Sequence, residues 1–227
     1  MAAKKIALKT LVASIAAVLI SEILFRPIIT AVFSSPLPGL GLTRILEIMV
    51  LVLIVIQLEK SADAIGLAPE KFSAGILKGM IWSAGFGIAA GILILAIYAV
   101  GLNALQLLLT PLPDAKMLVL IYLVVGGVVG PVAEEIFFRG ILFGFFRHWG
   151  VFAAVALSTL LFVLPHLTGS SLPFTQFVGG IVFAIAYERE NNLLVPITIH
   201  CLGNLAIFSI TYQSRDPTGT SRYSAHR

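Results

Sequence analysis

Charged side chains are scarce in this chain. Asp, Glu, Lys and Arg make up 11% of its 227 residues, against about 25% in soluble domains, so a wholly water-bathed globular surface is excluded. Cysteine is nearly absent too. Cys201 stands alone, which rules out an internal disulfide and says nothing about compartment. There is no H-E-x-x-H sequence, so a zinc-protease site carried on one helix is excluded. No soluble-domain stretch and no clear internal repeat interrupts the chain. What fills it is apolar: 59% of the residues are hydrophobic and the mean hydropathy is +1.03. The composition is that of an all-α, polytopic membrane helix bundle. The net charge of +4 is small, and in such a protein lysine and arginine report topology before any anionic partner. The partners expected are the lipid bilayer and a membrane-associated protein or peptide, not nucleic acid.

Apolar runs set apart by polar or Gly/Pro-rich stretches predict seven spans, at about 6–24, 42–58, 74–100, 117–147, 151–165, 174–187 and 193–212. Pro27 and then Ser34 to Leu40 read as a loop, and Glu59 to Lys71 is the most charged one. Asn103 to Lys116 is amphipathic, with Pro111 and Pro113, and makes an eighth element if it lies in the interface. Thr168 to Pro173 and Glu188 to Asn192 read as short polar turns. Gln213 to Arg227 reads as a disordered polar tail. Lys4, Lys5 and Lys9 before the apolar run Thr10 to Ile20 imitate a signal peptide. No A-x-A-like cleavage site follows at a clear boundary, while Glu22, Arg26 and Pro27 do, so the run reads as a retained first span. The spacings Gly126/Gly130 and Gly140/Gly144, with Gly179-Gly180, predict closely packed helices.

The lysine and arginine bias sets an orientation. Lys4, Lys5, Lys9, Lys60, Lys71, Lys78, Arg147 and Arg189 fall on one side. Arg26, Arg44, Lys116 and the tail arginines 215, 222 and 227 fall on the other. The first side, with the amino terminus, is expected in the cytoplasm.

The polar groups inside the apolar runs carry the chemistry. Glu134-Glu135-Ile136-Phe137-Phe138-Arg139 lies in the fourth span, and charge at bilayer depth usually faces a protein interior and serves function. Glu135 and Arg139 are four apart and can pair, while Glu134 lies about 100° round the helix. A bland reading is an ion pair that orients helices. Further along stand His166, and His200 with Asn204 four residues on. Glu134 and His166 are each 16 residues from Gly150, hence at one height in a helical hairpin, roughly 24 Å from the turn at about 1.5 Å per residue. His200 and Asn204 come out roughly 14 and 20 Å above a turn near Asn191, which puts His200 roughly 10 Å below His166. A carboxylate beside a histidine in a dry pocket suits water activation, and an Asn amide with a His N–H suits an oxyanion site. Glu134, His166 and His200 also make a set that could ligate zinc. Ser158, Thr159 and Cys201 are candidate nucleophiles, but Cys201 points about 100° away from its neighbour His200 on a helix.

Glu134-Glu135-x-x-x-Arg139, Phe162-x-x-x-His166 and His200-x-x-x-Asn204, in that order, resemble the three motifs of the CAAX protease and bacteriocin-processing (Abi, or CPBP) family of intramembrane endopeptidases. The resemblance covers about Met117 to Tyr212. It implies a division into variable N-terminal spans at 1–116, a catalytic helical core at 117–212 and a polar tail at 213–227. It implies further that Glu134 with His166 activates water, that His200 and Asn204 form the oxyanion site, and that Glu135 and Arg139 pair in support. The substrate would be cut near its carboxyl terminus or membrane anchor. This glutamate-type mechanism requires no cofactor, although family members are also described as metalloproteases and zinc stays open. A non-catalytic immunity or scaffold protein of the same fold is the alternative, and a proton-coupled transporter a third reading. The expected location is the plasma membrane of a prokaryote.

Overall fold

The computed structural model describes residues 4–167 and 173–215. Most of the turn expected at Thr168 to Pro173 and the tail beyond Arg215 lie outside them. The fold is all-α. Seven helices follow in order: α1 Leu8–Ala31, α2 Pro36–Glu59, α3 Phe72–Ala99, α4 Lys116–Trp149, α5 Val151–His166, α6 Phe174–Glu190 and α7 Leu194–Gln213. They stand where seven spans are expected. Five of them, α1 to α4 and α7, are long and apolar enough to cross a membrane; α6 has 17 residues, short of the roughly 20 that a crossing takes. The protein is an integral membrane protein.

Three boundaries differ from the sequence reading. Ser34 to Leu40 is not a loop throughout, because α2 begins at Pro36. Proline is at home in a first helical turn, where its missing N–H has no partner to lose, and the Ser35 hydroxyl caps the turn by accepting from Leu37 N. Pro27 likewise sits inside α1, directly after a π-helical stretch at Ser21–Phe25. The Glu188 to Asn192 turn shrinks because α6 runs to Glu190 and Asn191 closes it in the left-handed region at φ 46°. The segment before α4 forms a 3₁₀ turn at Ala104–Leu107 rather than an eighth helix, as Pro111 and Pro113 deny it a hydrogen-bonded continuation.

Helix α1 packs on α2, α3 on α7 and α5 on α6, with α4 central among them. A β-carbon on Gly75 or Gly79 of α3 would come within 2.6 Å of Asn192 or 2.5 Å of Thr198, so hydrogen at these positions is what lets α3 lie against α7. One end of the bundle is held by polar contacts. Arg147 grips Glu188 with two bonds of 2.8 Å, Asn192 donates to Lys71 O at 2.9 Å, and Lys4 pairs with Asp63. Three of the basic residues that the sequence groups on one side, Lys4, Lys71 and Arg147, stand at this end. Ile141, Phe143, Tyr187 and Leu193 form the adjoining core and are fully buried.

Helix α4 is not a plain α-helix. It becomes π-helical at Val125–Val129 and again at Ile136–Phe143, leaving a short α-helical piece at Gly130–Glu135 between them. π-Helical turns are rare and appear often at functional sites. Glu134 and Glu135 close that short piece.

Candidate functional site

The paired carboxylates face different surroundings, as their positions about 100° apart predict. Glu135 points inward and is fully buried with Arg139, whose Nη1 donates to Glu135 Oε1 at 2.9 Å. The guanidinium also donates from Nη2 to Gly180 O at 3.2 Å and lies 4.4 Å from the Phe162 ring centre. A fully buried cation needs such company. One carboxylate, one carbonyl and an aromatic face replace the water it has lost.

His200 binds the same carboxylate: its Nδ1 is 2.8 Å from Glu135 Oε1. The sequence reading missed this contact, because it counted Glu135 as the partner of Arg139 alone. An ionised carboxylate only accepts, so Nδ1 carries the proton and Nε2 is the nitrogen turned outward. Nε2 lies 3.8 Å from Glu134 Oε2. The ring is stacked on Phe183 at 4.7 Å and meets Phe162 edge-on at 5.7 Å. It can neither tilt nor swing.

Depth counting therefore misplaces His200. It stands level with Glu134, not roughly 10 Å below His166. The turn from which the count starts is itself buried: Asn191, Asn192 and Leu193 are covered, and Leu193 N donates to Gly66 O at 3.1 Å. A residue count from it ignores how the helices around it are packed.

Glu134 looks into a cavity of about 640 Å³. His166 lines the same cavity, as the equal-depth argument predicts, with Phe137 and Phe138 between them on the wall. His166 accepts its place from its own helix, since Nδ1 is 2.9 Å from Phe162 O. Donating there leaves Nε2 for the cavity. Asn204 is not drawn to Glu134: its Nδ2 donates to Gly126 O at 2.9 Å, which uses one of the two amide hydrogens. Ser158 and Thr159 are buried hydroxyls without partners among the described residues, and neither lines the cavity. Cys201 approaches only Val128 O, at 3.9 Å.

The trio Glu134, His166 and His200 does not converge as a metal site. Among the described residues no three His, Cys, Asp or Glu side chains gather as a ligand group. Of the three, only Glu134 and His200 approach each other, at 3.8 Å.

The cavity also holds a second charged group, Glu22 and Arg26 from α1 and Arg44 and Glu47 from α2; the sequence reading counts the two arginines as topology signals and overlooks Glu47. Their spacings, four and three residues within apolar runs, are a readable sign of helix-face ion pairs.

Comparison with known proteins matches part of the chain. A family model described as type II CAAX prenyl endopeptidase Rce1-like covers residues 116–206. The chain is 33% identical over 97 residues to the membrane-embedded CAAX protease MroQ of Staphylococcus aureus (strain USA300), a match covering 40% of this chain and 38% of that protein. It is 33% identical over 92 residues to "Putative membrane peptidase YdiL" of Bacillus subtilis (strain 168), covering 40% of this chain and 37% of that protein. The matched part thus spans under two-fifths of either relative. No solved structure matches the chain.

Proposed function

We propose that this protein, whose residues 116–206 match the model of the Rce1-like type II CAAX prenyl endopeptidases, is an intramembrane endopeptidase acting by a glutamate-type mechanism on a membrane-associated peptide. One observation carries the reading. Glu134 and His166 share a cavity, and His200, held by Glu135, reaches within 3.8 Å of Glu134. Glu134 takes a proton from water in the cavity while His166 orients that water through its outward nitrogen. The hydroxide attacks the scissile carbonyl. His200, held at Nδ1 by Glu135, turns Nε2 to the developing oxyanion as a donor, and Asn204 supplies its second amide hydrogen. Glu134 then returns its proton to the leaving amine.

Arg139 and Glu135 do not touch substrate in this scheme; they fix the ring that does. No step requires a metal, and the donor set does not converge on one. A peptide-binding scaffold would have no use for a carboxylate and two histidines arranged around one carbonyl position, so the non-catalytic alternative is not favoured. We place the end of the bundle with Lys4, Lys71 and Arg147 in the cytoplasm, following the basic bias.

The test is cleavage of apolar model peptides by the purified full chain in detergent, read by mass spectrometry, with Glu134→Ala as control. Cleavage by the native chain but not the variant supports the reading. Equal cleavage by both traces it to a contaminant and sinks it.

A further inference from the structure

The cavity has two charged walls, and the mechanism uses only one. Opposite Glu134 and His166 stand four charges from α1 and α2. Arg26 Nη1 is 2.6 Å from Glu22 Oε2. Arg44 Nη1 is 2.9 Å from Glu22 Oε1 and 2.5 Å from Glu47 Oε2. Two arginines and two glutamates sum to zero charge, and Glu22 bridges both cations.

Neutrality alone would make this a clamp between α1 and α2. Two features go beyond a clamp. First, each arginine uses one nitrogen: among the described residues the recorded bonds of Arg26 and Arg44 all leave from Nη1. A guanidinium has five N–H donors in a rigid fork, so an edge of each remains unspent. Second, that edge has somewhere to point. Both arginines line the cavity, Arg26 47% and Arg44 23% exposed; Glu22 is as exposed as Arg44, and Glu47 is the deepest of the four at 3%. Glu47 holds Arg44 from the buried side, and the unspent guanidinium edges border the open space.

We propose that Arg26 and Arg44 form a carboxylate-binding subsite in the cavity that anchors a peptide by an anionic group while Glu134 addresses a peptide bond further along it. The inference rests on the endopeptidase reading and extends it to substrate recognition. A carboxylate entering an apolar, membrane-embedded cavity needs a cation with free donors, and a guanidinium edge accepts it in the two-bond fork that gives such pairs their strength and geometry. The volume of about 640 Å³ falls within the roughly 300–1,000 Å³ of small-ligand pockets, which suits a short peptide stretch. The carboxylate is either the end of the peptide chain or an acidic side chain. All four residues lie outside 116–206, so this recognition belongs to the chain's own N-terminal spans and not to the shared core.

The test measures binding on the full-length Glu134→Gln protein in detergent, where turnover is not needed. The probes are one fluorescently labelled apolar hexapeptide in three forms: free carboxyl terminus, carboxyl-terminal amide, and the amide with glutamate at its last position. The free acid is expected to bind on the order of tenfold tighter than the plain amide, the advantage of a charge-assisted hydrogen-bonded pair. It should lose that advantage in Arg26→Gln and in the charge-balanced double variant Arg44→Gln/Glu47→Gln. If the glutamate form binds like the free acid, any carboxylate serves; if it binds like the amide, the chain end is read. Equal binding of all three forms overturns the subsite, as does a preference that survives both variants. Cleavage by the native chain is scored separately. Cleavage without carboxylate preference ends this inference alone, while preference without cleavage ends the protease reading alone.

Discussion

Glu135 Oε1 serves Arg139 and His200 together, at 2.9 and 2.8 Å. A pair that the sequence presents as structural is thereby wired to the histidine nearest the base. Stability and chemistry meet in one oxygen atom.

Glu135→Gln should therefore do two kinds of harm. The amide cannot compensate a fully buried guanidinium, a loss of about 3–5 kcal/mol when one partner of a buried pair is removed, and its NH2 can also donate to Nδ1, so His200 is no longer held as a donor there. Thermal unfolding in detergent should drop and peptide cleavage should fall. Arg139→Lys should give the same lowered melting with partial activity, because an ammonium cannot reach Glu135 and Gly180 while lying over Phe162. Melting unchanged in both variants would refute the buried-pair account.

Glu134 and His166 predict the opposite pattern. Both border the cavity, and neither holds a close ion pair. Glu134→Gln and His166→Ala should abolish cleavage while the proteins insert, purify and melt like the native chain. Near-normal turnover in either one removes that residue from water activation.

Gly180→Ala tests the packing that supports the site. A β-carbon there would meet Thr159 at 2.8 Å and the Arg139 guanidinium at 3.5 Å, so α6 must move off α5, at about 1–3 kcal/mol. Gly203→Ala in α7 meets nothing within 4 Å and should leave melting unchanged or raise it slightly. Equal melting of the two variants contradicts the close α5–α6 approach.

Metal dependence is answered by elemental analysis and chelation. Activity should persist after exhaustive chelation. Stoichiometric zinc whose removal stops cleavage, and whose return restores it, would change the roles of Glu134, His166 and His200.

Much of this was legible without coordinates. Helix pairs at i and i+4 share a face whatever surrounds them, so Glu135–Arg139 could be read directly. Gly150 lies at a real turn, so counting from it placed Glu134 and His166 on one cavity. Three things were hidden. The Asn191 turn is covered through a contact to Gly66, far off in sequence, and residue counting from it misjudges His200. The stacking of Phe183 on His200 joins α6 to α7 and carries no spacing signature. The charges at Glu22, Arg26, Arg44 and Glu47 were visible, but only their shared cavity distinguishes them from residues that set orientation.

The π-helical stretch at Ile136–Phe143 gives α4 slack on one side of the glutamates. A wide turn holds more residues than a tight one, so a single deletion between Arg139 and Phe143 can be absorbed by tightening to ordinary α-geometry, leaving Glu134 and Glu135 aimed as before. The α-helical piece Gly130–Glu135 lies between this stretch and the π-helical turn at Val125–Val129. One residue lost within it turns both carboxylates by about 100° relative to everything before them, and Glu135 would then point where Glu134 does now. Length variation in α4 should be tolerated inside either π-helical stretch and harmful inside the piece between them.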